Sequence, residues 1–130
     1  MNEKYLTIQS PAEGLYKEKG SKFISYAMPV NSVEEAKAEI ARLRKEHHKA
    51  RHVCFAYRLG ENAAIYRAAD DGEPGGTAGK PILRCLESRN LTNSMVAVVR
   101  YFGGTLLGTG GLIRAYRAAA EDALDKATSK

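Results

Sequence analysis

Residues 94–116 read SMVAVVRYFGGTLLGTGGLIRAY: an apolar run, a loop holding five glycines, and the first turns of an alanine-rich stretch. Apolar side chains at both odd and even positions of Ser94–Tyr101 need cover on both faces, which predicts a central strand. From Gly111 to Ala127, the residues Leu112, Ile113, Tyr116, Ala119, Ala120, Ala123 and Leu124 recur at helical spacing. The small residues among them let that helix approach a sheet closely. A buried strand that feeds such a helix through a glycine turn sets the fold class, and the rest of the chain is read around it.

Upstream, DDGEPGGTAGKP (70–81) is a second glycine cluster, followed by a short apolar helix over Ile82–Ser88. Pro81 fits only a first helical turn, which puts the helix start at Thr77–Lys80. Alternation of Val53, Phe55, Tyr57 and Leu59 predicts a strand over His52–Leu59, with Ala64–Ala69 pairing back across the GENA turn. In NSVEEAKAEIARLRKEHHKA (31–50), Ser32 and Glu35 form a capping box, and Val33, Ala36, Ile40 and Leu43 keep helical spacing. Lys4–Gln9, Gly14–Lys19 and Lys22–Val30 predict an antiparallel meander broken at Pro11–Gly14 and Gly20–Ser21. The sum is one α+β domain, a two-layer α/β sandwich with a mixed sheet and its helices on one face.

Composition bounds the function. The chain has 130 residues, 44% of them hydrophobic and 27% charged, as in an ordinary globular protein. No run of about 18 apolar residues predicts a membrane span, and MNEKYLTIQS lacks the parts of a signal peptide. A cytoplasmic protein without membrane contact is expected. The net charge of +5 and the pI near 9.3 favour nucleic acid, acidic proteins or phosphate-bearing ligands as partners. Cys54 and Cys85 are too far apart for a zinc or redox motif and read as buried thiols. No cofactor and no metal are expected.

Both glycine clusters lead into a helix N-terminus, where free N–H groups and the helix dipole can hold an anion and glycine permits close approach. Arg100 precedes the cluster at 103–111, and Arg114 and Arg117 follow it. GGTLLGTGG (103–111) matches neither a Walker nor a dinucleotide pattern, and tight turns or close packing explain glycines equally well. Arg117 can also pair with Glu121 one helical turn on. Asp70, Asp71 and Glu73 could ligate a cation or act as a base, while their structural reading is a turn that supplies charge to the helix after it. His47 and His48 read as helix C-terminal cations. His52 shares a strand face with Cys54, which raises a nucleophile pair that nothing else in the sequence supports. Lys17, Lys19 and Lys22, interleaved with Tyr5, Tyr16 and Tyr26, could form a basic and aromatic surface for single-stranded nucleic acid, or the solvated face of a sheet.

HVCFAYR (52–58), DDGEPGGTAGKPIL (70–83) and VAVVRYFGGTLLGTGGLIRAY (96–116), in this order and spacing, resemble the signature of the IMPACT family, which includes bacterial YigZ-like proteins. The resemblance implies a fold similar to the second domain of ribosomal protein S5, shared with nucleic-acid-binding ribosomal and elongation-factor domains and with GHMP-type kinases. It also implies a link to translation: the eukaryotic member looks like a regulator that binds the activator of an amino-acid-starvation kinase. The matching positions include His52, Asp70, Asp71, Gly72, Glu73, Pro74, Gly76, Thr77, Ala78, Gly79 and Pro81. Further on they include Arg100, Tyr101, Phe102, Gly103, Gly104, Gly108, Gly110, Gly111, Arg114 and Tyr116. Ala69 and Gly75 or Gly76 stand where many relatives have serine, and Leu106 where several have lysine, which weakens a phosphate reading of that loop. The ferredoxin-like C-terminal domain usual in bacterial members is expected to be absent.

Two functions follow as expectations. One is a regulatory or binding module linked to translation that contacts RNA, the ribosome or a translation-associated protein. The alternative is a protein or enzyme that binds a small phosphate-bearing or other anionic ligand. The candidate ligand-binding residues, for an anion or a nucleic acid, are Asp70, Asp71, Glu73, Gly76, Thr77, Gly79, Arg100, Gly103, Gly104, Gly108, Gly110, Gly111 and Arg114. The sequence leaves open whether the chain is an enzyme.

Overall fold

The computed structural model describes residues 6–127, which form five strands and three helices. In chain order these are β1 (Ala12–Glu18), β2 (Ser21–Pro29), α1 (Val33–Glu46), β3 (His52–Leu59), β4 (Ile65–Ala69), α2 (Gly79–Ser88), β5 (Ser94–Tyr101) and α3 (Gly108–Ala127). The strands form one sheet in the order β1-β2-β5-β3-β4. The expected α+β class therefore holds, and β5 is the central strand that its two-faced apolar pattern demands.

Two finer expectations are corrected. Every adjacent pair of strands is antiparallel, so the sheet is not mixed. The connections β2–α1–β3 and β4–α2–β5 do join parallel strands, but β5 separates β2 from β3, and β3 separates β4 from β5. Nor do the helices share one face. Phe23, Ala27, Cys54, Ala56, Val96 and Val98 point to a core with α2 and α3. The alternate residues Tyr26, Met28, Val53, Phe55, Tyr57, Met95, Ala97 and Val99 pack under α1 on the opposite face. The two connections run through the sheet in opposite directions from oppositely directed strands. Helices on one face would give them the same hand, so helices on opposite faces give them opposite hands, against the usual right-handed preference. Residue patterning carries no record of that handedness.

Local signals are otherwise well kept. Ser32 Oγ accepts from Glu35 N at 3.1 Å, and the Glu35 carboxylate accepts from Asn31 N at 2.7 Å, one residue beyond the box's usual target. The predicted meander has two strands within the described residues rather than three. In Lys4–Gln9, residues 4 and 5 lie outside the described residues, and Leu6 makes an isolated parallel bridge to Leu91 instead of pairing with β1. Gly14 in β1 permits a contact invisible to pattern reading: a Cβ there would lie 2.5 Å from Ala123 N of α3.

Candidate functional site

One end of the sheet gathers the β1–β2 turn, the start of β3, the β4–α2 turn and the β5–α3 loop. Register explains why. Arg100, next to last in β5, stands opposite Phe23 of β2 and His52 of β3. Just beyond it, Gly103 N donates to Ser21 Oγ at 3.1 Å. A Cβ on Gly103 would fall 2.0 Å from the Gly20 carbonyl carbon, so this glycine exists for the contact between two turns.

Beneath that contact lies a buried polar cluster. Arg100 Nη1 donates to Glu73 Oε2 at 2.8 Å, and its Nη2 donates to Ser21 Oγ at 3.3 Å. The Tyr116 hydroxyl donates to the same Glu73 oxygen. The Arg100 and Glu73 side chains are 5% and 3% exposed. Among the described residues Arg100 Nε has no hydrogen-bond partner; the guanidinium lies between the Phe23 and Phe102 rings, 5.4 and 5.5 Å from their centroids. His52 Nδ1 lies 2.8 Å from the Asp71 carbonyl oxygen, which only accepts, so that nitrogen carries the proton and Nε2 faces Glu73 Oε1 at 3.6 Å. Cys54 is fully buried and donates to the Asp70 carbonyl oxygen; burial, only partly opposed by Tyr116, pushes its thiol well above the ordinary range. Burial and the bond to the Asp70 carbonyl count against a nucleophile pair of His52 with Cys54.

The first glycine turn already holds an anion, its own. Asp70 accepts from the N–H groups of Gly76, Ala78 and Gly79 at 3.0, 3.1 and 2.8 Å, filling the N-terminus of α2. Burial alone would raise this carboxyl, but those donors, with Lys80 nearby, bring it below the usual carboxylate value. Asp71 is spent on structure too: it accepts from Val53 N at 2.7 Å and pairs with Arg44 of α1. Thr77 donates to the Pro74 carbonyl oxygen at 2.6 Å, and Gly79 lets α2 pack on β4, since a Cβ there would lie 2.5 Å from Ala69 N.

The second glycine turn differs. Helix α3 starts at Gly108, so Gly108, Gly110 and Gly111 belong to its first turn, while Gly103 and Gly104 form the loop before it. No side chain among the described residues caps that turn. A cleft of about 320 Å³ opens beside it, lined by Arg51, His52, Glu73, Arg100, Leu107 and Thr109 among others. The cleft thus unites Glu73, Arg100 and Gly108 of the predicted residues. It leaves out Arg114, which is exposed and acts electrostatically on Tyr16 of β1, and Asp70 and Asp71, which face their own bonds.

The outer rim of this end is cationic and aromatic. Arg51 lies over the Phe102 ring at 4.6 Å, and Lys22 over Tyr101 at 5.5 Å. Lys17, Lys19, Lys22 and Arg51 are exposed and make no ion pair among the described residues. Leu106 projects from the loop at 83% exposure. The rings differ from those foreseen: Tyr16 bonds Glu18, Tyr26 bonds His47, and Tyr5 lies outside the described residues. His47, at the C-cap of α1, has its ring between the Tyr26 and Tyr101 hydroxyls at 2.6 and 2.7 Å. Arg51 was missed altogether; its signal was adjacency to a strand whose partner register could not be read.

Comparison with known proteins fits this geometry. Residues 19–124 match the Impact N-terminal domain. The chain is 42% identical to the IMPACT family member YvyE of Bacillus subtilis over 96% of its own length and 58% of that protein's. It therefore spans less than two thirds of that relative. A crystal structure of a hypothetical protein superposes with a TM-score of 0.91 at 40% identity, covering 95% of this chain and 61% of the other. The structure of the two-domain translational regulator Yih1 is similar at a TM-score of 0.57 and 25% identity, over 92% of this chain and 47% of that one.

Proposed function

The chain belongs to the IMPACT family, and on that premise we propose that it is a cytoplasmic binding module linked to the regulation of translation, contacting single-stranded RNA at the rim described above. The likeness to a translational regulator supports the setting. The observation that carries the contact is the pairing of unneutralised cations with rings at one end of the sheet: Arg51 on Phe102, Lys22 on Tyr101, with Lys17 and Lys19 beside them. Lysine and arginine meet phosphates, and a ring that already holds a cation offers the next base a stacking face. The glycine loop supplies access, because Gly104 adopts φ +89° with open space where a side chain would stand.

Titration with a short single-stranded RNA at several salt concentrations tests this. Affinity should fall steeply with salt, and the joint change Lys22→Glu and Arg51→Glu should reduce the slope by about two, roughly one per phosphate contact. A flat salt response, or a slope untouched by the charge reversals, removes the RNA reading.

The cleft supports a second reading, a small anionic ligand. Among the described residues no side chain caps the N–H groups in the first turn of α3, and Arg51 lines the cleft beside it. Leu106, where a cation would serve a phosphate, counts against a highly charged ligand. A thermal-shift screen with phosphate, sulfate and carboxylates separates the readings: stabilisation that is lost in Arg51→Ala supports a small-anion site, and no stabilisation by any of them ends it.

A further inference from the structure

On the opposite face, α1 packs over β3 and β5 and does not reach β4. The uncovered wedge is a groove of about 600 Å³. Its floor is apolar: Phe55 and Tyr57 of β3 stack at 6.2 Å with rings 9° apart, next to Ile40 of α1. Its charged lining is Lys37, Arg44 and Arg67, with no carboxylate among the lining residues. Arg44 is held by Asp71, but Lys37 and Arg67 have no ion pair among the described residues. Beside the groove, β4 is the outermost strand, so one row of its N–H and C=O groups has no strand partner. Ile65 and Tyr66 on it are 54% and 64% exposed.

We propose that this groove and the free edge of β4 together dock an extended acidic segment of a partner protein, which adds as a sixth strand. Each part of the surface selects for that occupant. The strand edge offers a main-chain ladder that a peptide can complete and a nucleic acid cannot. Residues of β4 that share the α1 face, Ile65 and Arg67, stand opposite Leu59 and Tyr57 in register. An added strand would therefore lie outside β4 and set the side chains of its α1 face beside Ile65 and beside Arg67, at the open side of the groove. Apolar residues suit the first position and carboxylates the second. A second copy of this chain fits poorly, because antiparallel pairing of two β4 strands about their middle residue sets Arg67 against Arg67. The reading is independent of the RNA rim, which lies at the end of the sheet.

Selection from a randomised displayed peptide library on the full chain tests it. The expected consensus alternates Asp or Glu with Val, Ile or an aromatic residue. Lys37→Glu with Arg67→Glu should weaken the selected peptide by at least about tenfold, about 1.4 kcal/mol, while leaving RNA affinity unchanged. Amide shifts in a labelled sample should fall on β4 and α1, with new cross-strand contacts from the peptide to Ile65–Ala69. A basic or featureless consensus, shifts elsewhere, equal binding by the reversed-charge variant, or a dimer formed through β4 in sedimentation would each overturn the proposal.

Discussion

Arg100 and Glu73 meet at 2.8 Å with almost no solvent at either side chain, so the end of the central strand is tied to the β4–α2 turn by a buried ion pair. The Tyr116 hydroxyl donates to the same carboxylate and joins α3 to both. Removing one member leaves the other charge buried without its counter-charge, which typically costs about 3–5 kcal/mol. Arg100→Met should lose that much in urea denaturation, and Tyr116→Phe only about 1–2 kcal/mol, since Glu73 keeps its arginine. Equal losses for the two variants would mean that the pair does not organise this end.

Asp70 gives a pH dependence with a definite sign. Its folded-state pKa lies below the unfolded value of about 3.9, so its contribution to stability is fully present above pH 4 and disappears as pH falls through the folded value. Asp71 is lowered as well, with burial opposed by Arg44, the Val53 N–H and His52, and it adds to the same acid limb. Asp70→Asn should lower stability near pH 7 by about 1–2 kcal/mol and flatten the decline below about pH 4. An acid limb as steep in the variant as in the parent would show that other carboxyls carry it.

The glycines divide by what surrounds them. Gly79→Ala would gain about 1 kcal/mol in helix propensity, but its new carbon would lie 2.5 Å from Ala69 N, so α2 must shift off β4 and the net effect is destabilising. Gly103→Ala is worse placed still, 2.0 Å from the Gly20 backbone. Gly104→Ala meets nothing within 4 Å and suffers only the left-handed backbone at φ +89°, a cost of about 1 kcal/mol. Thermal melts should rank the losses Gly103 above Gly104, and the reverse order would count against close approach as the reason for the first glycine.

That division also marks what the sequence could reveal. The limits of β5, the start of α2 and the Ser32 cap were legible because each depends on residues within a few positions of one another. The side of the sheet on which α1 lies was not, since an amphipathic stripe says that a helix is covered and not by which face. The candidate site was half legible. Glycines announced both turns, but the chemistry of the first turn depends on Asp70 folding back onto Gly76, Ala78 and Gly79, and that of the rim on Arg51, before β3, meeting Phe102 after the neighbouring β5. Contacts set by register leave no local signature.

The two cysteines give a final test that bears on catalysis. Cys54 is fully buried with its thiol on the Asp70 carbonyl, and Cys85 is 2% exposed, its pKa pushed up to about 12 by burial first and Glu121 next. Reaction with a thiol reagent needs both access and thiolate, and the native state denies both. Labelling at pH 7 must therefore wait for opening of the core. With a stability in the usual range of about 5–15 kcal/mol, global opening slows it by at least about a thousandfold relative to the unfolded chain. Adding urea below the unfolding midpoint should accelerate labelling of both thiols in parallel. Rapid labelling of Cys54 alone in native buffer would contradict its burial and reopen a nucleophilic role for the residue beside His52.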